Sequence, residues 1–335
     1  MGSRVKELRE RRTLDDTGLR ELLESSDPAL AEELRHNARE AADEQFGKTV
    51  WLRALIEWSN VCRNDCLYCG IRRSNRTLPR YSLSREEILE CCDRAWRLGL
   101  RTFVLQGGEN PAAVEALAGT VAEMRASWPE AAITLSLGEL SHETYSLLRS
   151  SGADRYLLRH ETANPAHYAR LHPIGMTLQH RLECLHDIRS LGFQTGMGMM
   201  VGSPGQTVDD LIADIRLIEA FRPQMIGLGP FIPQHDTPFG GEPAGSAART
   251  LRLYSILRLM LPQAWMPSTT ALATLRPDGR TAGILAGANV LMPNFTPSAQ
   301  RQAYALYEGK TRPDSEAVEN LNQMKQELDT IGYHV

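Results

Sequence analysis

Three of the chain's six cysteines, Cys62, Cys66 and Cys69, lie in a C-x3-C-x2-C spacing directly after an apolar run over 52–58. A loop this tight gathers three thiolates, which suits an iron–sulfur cluster. Three protein ligands for four irons leave one iron open for a small molecule to chelate. The alternatives are a zinc site with a distant fourth ligand, or three buried thiols. Zinc sites more often pair two C-x2-C elements or add histidines at matching spacing, and neither stands nearby.

The elements that must carry this loop alternate regularly. Strands are expected over 52–58, 102–106, 132–137, 155–159, 194–201, 225–228, 264–267 and 288–291. Between and after them, helices are expected over 84–98, 111–128, 141–151, 178–191, 207–221, 247–261 and 279–286, with a last one over 313–331. Ser84 followed by Glu87 reads as a capping box. Eight such units in one run predict an α/β fold of the closed (β/α)8, TIM-type barrel class. An open doubly wound sheet is the runner-up, but no G-x-G-x-x-G follows the first strand. Residues 4–47 read as two or three polar amphipathic helices, broken at Asp15-Asp16 and Ser26-Asp27-Pro28. The expected organisation is a helical cover over 1–50, the barrel over 51–310 and a C-terminal helix over 311–335.

Active sites of such barrels form at the C-terminal strand ends, and every end here is polar or glycine-rich. Gly107 and Gly108 let backbone approach a ligand closely, and Glu109 can accept hydrogen bonds from an ammonium; a glycine turn with a surface glutamate is the plainer reading. Glu161 and Arg181 can pair with each other or, separately, hold a ligand's polar groups. Gly198 and Gly202 offer a flat wall. Arg53 and Arg159, if they point inward, are buried charges that need an anion. Thr134, Ser136, Thr269 and Thr270 can add neutral hydrogen bonds to the same pocket, and His160 faces the other way as a structural histidine. Arg72, Arg73 and Arg76 read as a solvated face or as a docking patch for an acidic electron donor such as a flavodoxin or ferredoxin.

Composition bounds the class. The 335 residues are 42% hydrophobic and 23% charged, with a net charge of −4. That balance argues against general nucleic-acid binding. No segment approaches the unbroken apolar length of a membrane span. No apolar signal core opens the sequence, and the three other cysteines (Cys91, Cys92, Cys184) are dispersed, so a reduced, cytoplasmic protein is expected.

With Tyr68 just before the third cysteine, the cysteine loop resembles the signature of the radical S-adenosylmethionine (SAM) superfamily. The resemblance implies a 4Fe–4S cluster whose open iron takes the amine and carboxylate of SAM. It also implies an electron transfer that breaks a C–S bond of SAM and releases a 5′-deoxyadenosyl radical. Gly107-Gly108-Glu109 then resembles the element that holds SAM's amino group. Glu161 and Arg181 would reach its ribose or amine and its carboxylate, and Gly198 and Gly202 would lie along the adenine.

A closer resemblance rests on longer strings. These are Glu57-Trp-Ser-Asn-Val-Cys-Arg63, Cys66-Leu-Tyr-Cys-Gly-Ile-Arg-Arg73, Thr134-Leu-Ser-Leu-Gly-Glu139, Asp154-Arg-Tyr-Leu-Leu-Arg-His-Glu-Thr-Ala-Asn-Pro165, Gly229-Pro-Phe-Ile-Pro233 and Met292-Pro-Asn294. They resemble the HydE-type radical SAM maturases of FeFe-hydrogenase over roughly residues 50–310. Biotin synthase and methylornithine synthase are relatives with different strand-end strings. The resemblance implies work on the hydrogenase's diiron subcluster, with an iron–cysteine complex carrying carbonyl and cyanide supplied by a partner maturase. It places Arg53, Arg159, Thr269 and Thr270 at an anion-binding pocket and Tyr304 in a matching segment. Gly107 stands where many members have Ser, and no cysteine follows Tyr307 to build an accessory cluster. Two other expectations are an amino-acid mutase of the methylornithine synthase kind and a non-enzymatic iron–sulfur carrier. The carrier leaves Gly107-Gly108-Glu109 and Arg181 without a role.

Overall fold

The computed structural model describes residues 3–310 and 317–335. Three N-terminal helices, α1 (Arg4–Arg11), α2 (Asp16–Glu24) and α3 (Pro28–Phe46), begin at side chains that accept backbone N–H groups: Ser3, Asp15 and Asp27. Each satisfies one of the donors a helix start leaves unpaired. Pro28 sits in the first turn of α3, where its missing N–H costs nothing.

The strands are β1 (Trp51–Leu52), β2 (Ala54–Ser59), β3 (Thr102–Gly107), β4 (Ala132–Ser136), β5 (Arg155–Leu157), β6 (Gln194–Met197), β7 (Met200–Val201), β8 (Met225–Ile226), β9 (Gly229–Pro230) and β10 (Val290–Leu291). All pairings between them are parallel. The order β2-β3-β4-β5-β6-β8 makes the main wall, while β1 pairs with β10 and β7 with β9. Bridges at Trp265–Met225 and Pro267–Val290 close the gap, so the wall returns on itself as a barrel. The open-sheet alternative falls on that closure. The strand expected over 264–267 survives only as these two bridges, because Pro267 has no N–H to give a ladder.

Alternation along the strands sorts the side chains into two layers. Ala54, Ile56, Phe103, Leu105, Ile133, Leu135 and Tyr156 join the core between barrel and helices. Their neighbours Arg53, Leu55 and Glu57, with Gln106 and Ser136, take the other face, towards the interior. The capping box at Ser84 and Glu87 is present, and a second one pairs Thr207 with Asp210. Three short helices were not anticipated: Pro165–Leu171, Thr270–Leu275 and Ser298–Ala303. The first had a legible signal, since Asn164 caps Ala166 and His167 ahead of Pro165. The helix expected from 111 starts as a 3-10 turn, Pro111–Ala113. The last helix is Ala317–Thr330; the rest of its expected start, 313–316, lies outside the described residues.

The N-terminal helices pack on the helices Val208–Phe221 and Ala247–Met260. Phe46, Trp51 and Trp265 meet edge-on or tilted, with ring centroids 4.7–5.4 Å apart, where the barrel strands begin. Thus the end of the barrel opposite the cysteine loop is plugged by aromatic rings. No described helix is long and apolar enough to cross a membrane.

Candidate active site

The cysteine loop follows β2 and is pinned from several sides. Arg63 N–H donates to the Glu109 carbonyl (2.8 Å), Leu67 N–H to Leu171 (2.9 Å) and Gly70 N–H to Leu306 (2.9 Å). Gly108 explains why β3 can end beside it. A Cβ on Gly108 would lie 2.4 Å from the Val61 carbonyl oxygen and 2.9 Å from Cys62 Cβ. The glycine therefore makes room for the cysteine loop, and a Cβ on Gly107 would meet the Trp58 indole.

Cys62, Cys66 and Cys69 are free and only half-buried. Burial raises all three thiols, Cys69 up to about 12, and Cys62 and Cys69 both push Cys66 further. Cys62 also raises Cys69, so the sulfurs are close neighbours, and the nearby Arg80 and Arg181 offset burial only in part. Among the described residues no three His, Cys, Asp or Glu side chains are drawn tightly enough to ligate one ion. Ligands to separate irons of one cluster need a wider triangle than that.

Two ion pairs stand beside the loop, and Glu161 and Arg181, which the sequence allowed to pair with each other or to hold a ligand separately, belong to different ones. Arg159 Nη2 meets Glu161 Oε2 at 2.5 Å, and Arg181 Nε meets Glu139 Oε1 at 2.5 Å. Arg181 also donates to the Arg159 carbonyl (2.8 Å), which ties the two pairs together. Burial alone would raise the Glu161 carboxyl, but Arg159 and then Arg181 outweigh it and hold it below its ordinary value. Glu161 adopts φ +66°, a left-handed conformation that non-glycine residues rarely take. Its N–H donates to Gly198 and its carbonyl accepts from Met200, both at 3.1 Å, so the backbone holds the strain. Behind it, His160 faces away as expected, with Nε2 3.2 Å from Asp214 Oδ1.

A third pair joins Arg63 Nε to Glu109 Oε1 at 2.6 Å, and the other Glu109 oxygen accepts from Glu139 N–H at 2.7 Å. Glu109 is thus a bracket between two strand-end loops. Tyr68 is packed near Leu171, Met200 and Phe231, with its hydroxyl 3.3 Å from His172 Nε2. His172 stacks on Tyr168 at 3.9 Å. Gly198 is required by its neighbour: a Cβ there would sit 1.8 Å from the Gly227 carbonyl oxygen. Gly202 likewise abuts Gly245.

Deeper in, Thr134 Oγ1 and Thr269 Oγ1 are buried without a hydrogen-bond partner among the described residues. The Tyr254 hydroxyl beside Thr269 is spent on the carbonyls of Leu228 and Pro267. Ser136 is in register with Gln106, whose amide lies 3.4 Å from the Tyr304 hydroxyl. Thr270 bonds the Tyr307 hydroxyl at 2.7 Å. Arg53 is placed apart from this group. Its guanidinium meets Met225 Sδ (3.4 Å) and covers Trp265, at the plugged end. Burial, then repulsion from Arg155, pulls it down to about 9. Of the surface run, Arg72 is taken by Asp65 (2.7 Å), while Arg73 and Arg76 are exposed.

Arg63, Glu139, Tyr168 and His172 were not singled out from the sequence. Glu139 had a signal in Gly138-Glu139, which repeats the Gly108-Glu109 ending one strand later. Tyr168 and His172 lie on and just after a helix that the sequence reading left out.

The model of the Radical SAM superfamily matches residues 56–218. The [FeFe] hydrogenase maturase subunit HydE of Thermotoga maritima is 44% identical, covering 92% of this chain and 88% of that protein. The 3-methylornithine synthase of Methanosarcina barkeri is 28% identical over 95% of this chain and 89% of its own. The crystal structure of methylornithine synthase (PylB) superposes with a TM-score of 0.84 at 25% identity, covering 99% of this chain and 97% of that one. A relative that similar over nearly the whole length, with the cysteine loop and strand ends in place, decides the matter: this chain is a radical SAM enzyme and belongs to the HydE-type maturases.

Proposed function

We propose that this protein takes part in assembling the diiron subcluster of FeFe-hydrogenase, acting on an iron–cysteine complex that carries carbonyl and cyanide. Family membership implies two cofactors, a 4Fe–4S cluster and SAM. The donor set fits the cluster: three adjacent half-buried thiols, held protonated by burial despite Arg80 and Arg181, are what a cationic iron core would stabilise as thiolates. Cys62, Cys66 and Cys69 would hold it. When bound, the reduced cluster supplies the electron that cleaves SAM.

The protein's own groups then have separable tasks. Tyr68, Glu109, Glu161 and Arg181 border the cysteine loop and would orient SAM, with Ser136, Gly107, Gly108, Gly198 and Gly202 shaping the strand ends around it. Arg159, Thr134, Thr269, Thr270 and Tyr304 would meet the substrate; Arg53, at the plugged end, would act on it only through its charge. The helices before residue 50 and after 311 carry none of these groups and serve as cover.

One observation carries the substrate reading. The Thr134 and Thr269 hydroxyls are buried and meet no hydrogen-bond partner among the described residues, and an orphaned buried hydroxyl costs stability unless a ligand pairs with it. Arg159→Lys keeps the charge and loses the planar fork. In a system reconstituted with the partner maturases and a flavodoxin or ferredoxin donor, it should lower hydrogenase maturation roughly ten- to hundredfold, as expected for loss of about 1.5–3 kcal/mol. SAM cleavage without substrate should continue. If the wild type instead rearranges a free amino acid such as lysine, the relation to 3-methylornithine synthase is the functional one.

A further inference from the structure

Glu57 is a carboxylate that nothing in the reading above uses. It lies on β2, two residues beyond Leu55 on the same inward face, in register with Gln106 and, through it, Ser136. Its side chain is wholly sealed from solvent. Two partners among the described residues satisfy it, with the Arg301 charge acting on it as well, and the two differ in kind.

Asn294, at the end of the last barrel strand, donates from Nδ2 to Glu57 Oε2 at 2.9 Å. Its own Oδ1 accepts from Thr296 N–H at 2.9 Å, which fixes the amide with its donor side towards Glu57. This half is part of the barrel wall. Lys310 contacts the other oxygen, and it does not belong to the wall. It ends the segment 304–310, which crosses the strand ends on separate tethers. Leu306 accepts from Gly70, Glu308 donates to Pro233, and the Tyr307 hydroxyl bonds Thr270. Lys310 reaches in past the Tyr304 ring, with its ammonium 4.7 Å from the ring centroid. A cleft of about 340 Å³ opens beside the pair; Glu57, Asn294, Thr270 and Lys310 are among its walls, with Arg301 and, from the C-terminal helix, Glu327.

A sealed carboxylate demands a cation at all times, because removing one partner of a buried pair leaves a charge uncompensated. Here one partner is fixed and the other hangs on a crossing segment beside a space the size of a small molecule. The Tyr307 hydroxyl feels both Glu57 and Arg159, so a negative and a positive pole face the same region. An α-amino acid carries the complementary pair of charges.

We propose that Glu57 and Asn294 form the ammonium-binding end of the substrate pocket, and that Lys310 fills this end while no substrate is bound. This rests on the reading of the barrel interior as the pocket for an amino-acid-containing substrate. The lysine is then an internal competitor: binding exchanges one ammonium for another and leaves no buried charge bare at either stage.

The test uses cluster-loaded protein saturated with SAM and two probes, L-cysteine and 3-mercaptopropionate, which differ by the ammonium-bearing amine. Anaerobic calorimetry should show the wild type binding L-cysteine at least tenfold more tightly. Glu57→Gln should abolish that preference. Lys310→Met should raise the affinity for L-cysteine severalfold, and L-cysteine should raise its melting temperature more than that of the wild type. This second variant decides the matter should Glu57→Gln fail to fold. A preference retained in Glu57→Gln, weaker L-cysteine binding in Lys310→Met, or equal affinity of the wild type for both probes overturns the assignment of Glu57. A wild type that binds neither probe, while still binding SAM, overturns the amino-acid pocket itself.

Discussion

Arg181 is paired with Glu139, not with Glu161: its Nε lies 2.5 Å from Glu139 Oε1, and the two side chains are only 9% and 4% exposed. Burial opposes a charge on Arg181, yet the Glu139 carboxylate raises its pKa above the ordinary value. The pair is therefore held charged, and a carboxylate brought to this corner meets an arginine already oriented.

That geometry predicts coupling. Arg181→Lys and Glu139→Gln should each weaken SAM binding tenfold or more, in line with about 1.5–3 kcal/mol for a charge-assisted hydrogen bond. The double variant should lose less than the sum, because both changes break one contact. Equilibrium SAM binding to cluster-loaded protein checks this. Strict additivity would mean that the two residues act independently.

The cysteines divide by location. Anaerobically reconstituted protein should hold about four irons per chain, as one 4Fe–4S centre requires. Alanine at Cys62, Cys66 and Cys69 together should abolish it. Alanine at Cys91, Cys92 and Cys184, all buried in helices, should leave iron content unchanged. Iron and sulfide analysis reads both outcomes, and zinc in place of iron would refute the cluster.

Gly108→Ala should disturb the cysteine loop without touching a ligand. The new methyl would sit 2.4 Å from the Val61 carbonyl oxygen, so either β3 or the loop must shift. We expect poor cluster reconstitution in a chain that still folds. Gly119→Ala is the control: nothing lies within 4 Å of its Cβ, and a helical Gly-to-Ala change should stabilise by up to ~1 kcal/mol. Iron loading and thermal melts of the two variants separate the effects.

Stability of the cluster-free protein should depend on His172. Burial, then the nearby Arg181, pulls its imidazole down to about 4, while in the unfolded chain it titrates near 6.5. Between those values the unfolded chain binds the proton and the folded one does not, so stability falls as pH drops from about 6.5 to about 4. The full loss is about 3 kcal/mol. His172→Asn should flatten this slope; an unchanged slope would assign it to other groups.

What the sequence alone determined was local or periodic. The C-x3-C-x2-C loop needs only chain proximity, and strand–helix alternation with its cap at Ser84 is written in neighbouring residues. The eightfold repeat then admits few topologies, and the long strings at the strand ends carry the family. Pairing was decided only in three dimensions. Arg181 and Glu139 are 42 residues apart and Lys310 and Glu57 are 253 apart, and no spacing rule selects them over Glu161 or a free substrate. The glycines show the same limit. Gly108 and Gly198 read from sequence as places where a ligand can come close; only closure of the barrel shows that they are also pressed against Val61 and Gly227, where close packing between neighbouring strand ends forbids a side chain.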